Sequence, residues 1–267
     1  MSFYLSHLKK IFQDQKIALT ILVLFCFLFE WAFAWVFFES DIKKNLVSLI
    51  RMLPPGVSAF MGVQGGISQF AVQMLAFGYV HPIILISLSF LQISIPARYI
   101  SGEVELKTFD LLLTKPVKRV IIPLSIFTFL VICLALEFAA MLMGTLAGDI
   151  GFDLKVDMLE YAGVAAVGFF FFLSMGAAAT AISSFASEKG KSVAMAMGLF
   201  VCLYFFDTIV RLSKSLQFLE PYSYFHLYQP GKLILGEVGA GTCILISLGI
   251  TAVFFCVSLV QFNRRDL

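Results

Sequence analysis

Apolar residues run through this chain in long unbroken blocks, with neither the alternation of a strand nor the narrow stripe of a surface helix. A helix crossing ~30 Å of hydrocarbon needs about 20 mainly apolar residues. Residues 17–38, 80–97, 120–146, 161–186, 192–212 and 240–262 are such blocks, each bounded by charge or by Pro and Gly. The pattern predicts an all-α integral membrane protein, six transmembrane helices in a single domain over residues 1–267. Ala32-Phe33-Ala34 has the small-x-small look of a signal cleavage site. The apolar run continues through Trp35 to Phe38, longer than a signal core, so the first block is expected to remain a span.

The segments between the blocks have their own patterns. In residues 1–16, Tyr4, Leu5, Leu8, Ile11 and Phe12 line one helical face with Lys9, Lys10 and Gln13 opposite, which predicts an interfacial amphipathic helix. Residues 39–79 and 213–239 are expected to be extracytoplasmic segments with short helices. Residues 46–78 carry one charge, Arg51, but also Pro54-Pro55, Gly62, Gly65-Gly66 and Gln64, Gln69 and Gln73. Those breakers argue against a seventh lipid-facing helix. His81-Pro82 then opens the second span, where proline's missing N–H costs nothing.

Composition excludes a water-soluble alternative. Sixty per cent of residues are hydrophobic and 13% charged, with a mean hydropathy of +0.94, too few charges for a hydrated shell. A net charge of +2 gives no reason to expect nucleic acid. Its distribution sets orientation: with the N-terminus inside, twelve of the 19 Lys and Arg fall on the cytoplasmic side. Both termini are thus expected in the cytoplasm. A seventh span over residues 57–79 would put the densest basic loop outside. The five cysteines sit in apolar runs without a CxxC spacing, which fits packing better than disulfides or zinc.

The loop over residues 98–119 carries the most information. Leu106, Phe109, Leu112 and Leu113 recur at helical spacing, Glu103, Glu105, Lys107 and Asp110 face away, and Thr114-Lys115-Pro116 stops the helix. Such a helix lying beneath the membrane transmits force from a cytoplasmic partner, or it is a solvated connection; the residues alone leave both open.

The run Glu103-x-Glu105-x-x-Thr108-x-x-x-Leu112-x-Thr114-x-Pro116-x-x-Arg119 resembles the E-x-E-x-G-T-x-x-x-L-L-x-x-P-x-x-R loop of type-2 ABC exporter permeases. The basic turn Ser187-Glu188-Lys189-Gly190-Lys191, the proline- and aromatic-rich residues 220–230 and the Asn263-Arg264-Arg265-Asp266-Leu267 terminus are similar to that family too. The resemblance implies the permease subunit of an exporter in the plasma (inner) membrane, forming the substrate path with a second permease copy, identical or paired. Separate cytoplasmic ABC ATPase subunits would bind ATP and Mg²⁺, and this chain would hold no cofactor or metal and catalyse nothing. It also implies that Glu103, Glu105, Thr108, Pro116 and Arg119 couple the chain to the ATPase. One departure stands out: Lys107 occupies the place of the family's glycine. Gly190-Lys191-Ser192 is no Walker A loop, because Phe185 stands where its first glycine belongs.

Four ionisable residues fall inside spans: Glu30, Glu137, Asp207 and Arg211. An ionised carboxylate facing lipid costs at least ~2.5 kcal/mol, so Glu30 and Glu137 are expected neutral, paired or facing a cavity. Structural and transport roles both stay open for them. Asp207 and Arg211, four apart, are spaced for a helical ion pair. Met141, Met143, Met195 and Met197 are read as packing, not a soft-metal path. Asp149, Asp153, Asp157 and Glu160 are spaced like one polar helix face, and Ala162/Ala166 and Gly176/Thr180 like close-packing pairs. Two rival functions compete with the exporter: a lipid-modifying membrane enzyme, for which no nucleophile–base–metal set appears, and a scaffold that anchors an ATPase without transport.

Overall fold

The computed structural model describes residues 2–38, 75–108 and 119–264. Among the described residues, six helices are long and apolar enough to cross a membrane. They are built on α1 (Ser2–Phe38), α2 (Pro82–Pro96), α3 (Ile121–Phe152), α4 (Met158–Phe185), α5 (Lys189–Leu212) and α6 (Ala240–Arg264). No strand occurs among the described residues.

Local chemistry sets the helix ends. The Ile83 N–H donates to His81 Nδ1 at 3.3 Å, with Pro82 at the first helical position of α2. At its other end Pro96 lacks an N–H, and the backbone widens into a π-turn over Ala97–Ser101 before closing again at Gly102–Glu105. The second span therefore continues as Leu75–Glu105. The helix expected inside the loop over residues 98–119 is, up to Glu105, continuous with the second span. Asp157 caps α4 by accepting from the Leu159 N–H at 2.8 Å, with Glu160 in the first turn.

Pairwise contacts give the first three spans their relative directions. Phe12 meets Phe129 at a centroid distance of 4.8 Å, and Phe27 and Ala34 then meet Gly144 and Gly148, so α1 and α3 run parallel. Against them α2 is antiparallel, since Tyr79 Oη lies 2.9 Å from Thr145 Oγ1 and Gln92 Nε2 donates to the Leu130 carbonyl at 3.4 Å. We call the end holding the start of α1 the near end. α1 leaves the bundle and α2 enters it at the same far end, as six spans require. Residues 39–74, including the expected short extracytoplasmic helices, lie outside the described residues.

The interfacial helix expected over residues 1–16 is not separate. α1 is one helix of 37 residues, roughly 56 Å at ~1.5 Å per residue, and its first turns pack along α3. Tyr4 Oη donates to Thr128 Oγ1 at 2.9 Å, His7 Nδ1 lies 2.6 Å from Ser125 Oγ, and Ile11 is buried. Tyr4, Leu8, Ile11 and Phe12 of the amphipathic stripe face a helix–helix seam, while Leu5 is exposed, as are Lys9 and Lys10.

α4 is the central helix, touching α2, α3, α5 and α6. Ser184 Oγ lies 2.9 Å from Ser258 Oγ of α6. The closest approach is instead between α1 and α3. A Cβ on Gly144 would stand 2.5 Å from the Phe27 carbonyl oxygen, and one on Gly148 would overlap Ala34 Cβ. This four-residue glycine spacing lets two backbones meet. Of the pairs expected on α4, Gly176 seats the Gln92 side chain while Ala162 and Ala166 are half-buried. α1, α5 and α6 expose large apolar side chains, such as Ile21, Phe205 and Val253, suited to lipid.

The acidic residues at the far end do not share a helix face. α3 stops at Phe152, where Asp153 turns left-handed at φ 50°, and α4 starts only at Met158. Asp149 closes this turn, its Oδ1 accepting the Val156 N–H at 3.1 Å.

Candidate coupling site

The near end of α2 stops through an ordered hydrogen-bond pattern. The Thr108 N–H donates to the Glu103 carbonyl at 3.1 Å and the Lys107 N–H to the Val104 carbonyl at 3.1 Å. These are the six-to-one and five-to-two bonds of a Schellman motif, whose penultimate residue must turn left-handed. That residue is Lys107, at φ 53°. Glycine takes this conformation without strain, whereas an L-residue pays ~1–2 kcal/mol. The Thr108 hydroxyl also donates to the Glu103 carbonyl at 3.2 Å and to the Glu103 carboxylate, which locks the turn from the side chain. Leu106 is therefore in a turn and 72% exposed. The amphipathic helix expected to run through Leu106 is broken at Leu106–Lys107 by that positive φ. Its remaining positions, Phe109, Leu112, Leu113 and the stop at Pro116, lie outside the described residues.

Glu105 reaches a different element. Its Oε2 accepts the N–H of Lys189, the first residue of α5, at 2.8 Å. A carboxylate there satisfies an orphan donor and faces the positive end of the helix dipole. Two serine contacts run parallel to it. Ser101 Oγ donates to the Ser183 carbonyl at 3.0 Å, and Ser183 Oγ lies 2.7 Å from Ser192 Oγ. Tyr99 Oη donates to Asp14 Oδ2 at 2.9 Å, and the Arg98 guanidinium lies 5.5 Å from the Tyr99 ring centroid. The end of α2 is thus bonded to α1, α4 and α5 at once. Arg119 stands in the turn leading into α3. Of the five coupling candidates, Glu103, Thr108 and Glu105 come together, with Glu105 pointing across to α5. Sequence reasoning missed Lys189, Ser101, Ser183 and Ser192. Their only signal is a small hydroxyl or a basic residue at a helix end, which is common in any sequence.

The intramembrane candidates separate into two settings. Glu30 and Glu137 are fully buried, and none of their carboxylate oxygens has a hydrogen-bond partner among the described residues. Asp207 and Arg211 lie at the far end of α5, Arg211 Nε 2.7 Å from Asp207 Oδ2. That contact is an ion pair by proximity and not a directed hydrogen bond. Ser223 Oγ donates to Asp207 Oδ1 at 2.5 Å, and beyond it Lys232 Nζ donates to Glu220 Oε1 at 2.6 Å. Burial alone would push the Glu220 carboxyl up, but the Lys232 ammonium, helped by His226 and Arg211, holds it below the usual carboxylate range. The four methionines do not converge: Met141 is buried, while Met143, Met195 and Met197 are exposed. No group of three His, Cys, Asp or Glu residues spaced for a metal occurs among the described residues.

A comparison with curated proteins finds no match. The sequence pattern of the family described as ABC-2 family transporter protein matches residues 7–267, all of the chain but its first six residues. Six apolar spans, an all-helical bundle and this near-complete match agree that the chain belongs to the ABC-2 family of transporter proteins, as a multi-pass membrane permease and not an enzyme.

Proposed function

We propose that this chain is the permease subunit of an ATP-driven exporter and that the near end of the bundle is its cytoplasmic coupling face. Two copies, identical or paired, form the substrate path in a plasma (inner) membrane with both termini in the cytoplasm. Cytoplasmic ABC ATPase subunits carry the ATP and Mg²⁺ and press on the segment that begins at Glu103. The observation that supports this most is the Glu105 carboxylate accepting the Lys189 N–H. A push on residues 103–108 is delivered up α2 and, through that bond, to the start of α5. Glu103 and Thr108 fix the shape of the turn, so their role is positioning.

The test uses the chain purified from membranes with whatever ABC ATPase accompanies it. Glu105→Ala is expected to leave the ATPase bound while weakening permease-dependent stimulation of hydrolysis. Glu105→Asp, whose shorter side chain keeps the charge, is expected to recover part of it. Equal stimulation in wild type and Glu105→Ala would overturn the assignment of Glu105.

A further inference from the structure

Glu30 on α1 and Glu137 on α3 play no part in the coupling site, yet both are 0% exposed. All four of their carboxylate oxygens lack a hydrogen-bond partner among the described residues. The Glu30 carboxyl lies over Gly78, where an added Cβ would come within 2.7 Å of Oε2 and 2.9 Å of Oε1. Gly144 of α3 faces Glu30 from the other side, 2.9 Å from its Cβ by the same construction. Glu137 is two turns nearer the cytoplasmic end of α3 than Gly144, about 10 Å along the axis at ~1.5 Å per residue. Cys26, one turn before Glu30 on α1, is within electrostatic reach of both acids.

Among the described residues no counter-charge is paired with these acids. Tyr79, Tyr161 and Tyr228, from three different segments, are within electrostatic reach of Glu30, and Cys133 and Cys26 are within reach of Glu137. Asp149 and Glu160 act on Tyr161 and add only negative charge. His81 packs on Phe29 and Phe33, its Nδ1 occupied by the Ile83 N–H. No Lys or Arg forms an ion pair with either acid among the described residues. A carboxylate with neither cation nor donor is far costlier to bury than a neutral acid. Ionisable residues inside spans mark substrate and proton pathways, and a neutral carboxyl there is one that carries a proton.

We propose that Glu30 and Glu137 form an intramembrane proton-binding site along the α1–α3 seam, each carboxyl holding a proton in the closed bundle. This stands independently of the coupling role of Glu105. The test is infrared spectroscopy of the full chain in lipid nanodiscs at pH about 8, where exposed Asp and Glu are ionised. The expected result is a C=O absorption of protonated carboxylic acid in wild type, reduced in Glu30→Gln and in Glu137→Gln and abolished in the double variant. Wild type without that absorption overturns the proposal, as does its survival in the double variant. Glutamine mimics the neutral acid, so each single variant is also expected to keep the wild-type melting temperature. A clear loss of thermal stability in either would mean a charged, paired carboxylate and would refute it.

Discussion

Lys107→Gly isolates the backbone of the coupling turn. Lys107 is exposed and sits at φ 53° as the penultimate residue of the Schellman motif. Relieving a left-handed L-residue returns ~1–2 kcal/mol, and the added freedom of glycine in the open chain takes back ~0.4–1 kcal/mol. The net is roughly 0.5–1 kcal/mol in favour of the closed turn, a factor of about 2–5 in its opening equilibrium. Amide hydrogen exchange reads that factor directly, at the Lys107-position and Thr108 N–H groups that close the motif. Exchange there is expected to slow two- to five-fold in Lys107→Gly. Lys107→Ala, which removes the charge but keeps a Cβ, is expected to leave it near wild type. Unchanged or faster exchange in Lys107→Gly, or equal slowing in both variants, would refute the idea that backbone strain sits at this residue.

Three further outcomes follow from the packing and the charges. Gly148→Ala forces a methyl onto Ala34 Cβ and is expected to cost ~1–3 kcal/mol by overpacking; Ala34→Gly in the same chain should restore part of it, and thermal unfolding of the two singles and the double would show purely additive losses if the contact were unimportant. The Glu220 carboxyl is held low in the folded state by Lys232, so its stabilisation is complete above the free-carboxyl value of ~4.3 and is lost as pH falls through the lower folded value. The stability difference between wild type and Glu220→Gln is therefore expected to shrink on acidification below about pH 4, and a pH-independent difference would contradict the Lys232 pairing. Ser223→Ala removes a 2.5 Å donor from buried Asp207 and is expected to destabilise by ~1–3 kcal/mol, seen as a lower melting temperature.

The spans were legible because hydropathy over about 20 residues is a coarse, additive signal. Contacts such as Phe12 on Phe129 and Gln92 on Leu130 run in the alternating order that six consecutive spans require. What escaped was set by single backbone bonds or by partners far apart in sequence. The apolar pattern ends the second span at residue 97, yet the π-turn after Pro96 absorbs the missing bond and carries the helix on to Glu105. The amphipathic stripe of residues 1–16 predicts a helix, but the packing of Ile11 and His7 against α3 joins residues far apart in sequence and has no local signal. The Glu105–Lys189 contact joins residues 84 apart with no local pattern to announce it. The Lys-for-Gly departure at Lys107 was visible in sequence, but its meaning, a strained left-handed cap, needed the φ angle.

The central claim is that an ATPase drives this bundle through the end of α2. Its most direct test is ATP hydrolysis by the ABC ATPase that copurifies with the chain, reconstituted in lipid nanodiscs with wild type or with Glu103→Ala/Glu105→Ala. The account predicts an assembled complex with the wild-type fold and little or no permease-dependent hydrolysis in the double variant. An assembled double variant that stimulates hydrolysis as wild type does would contradict it.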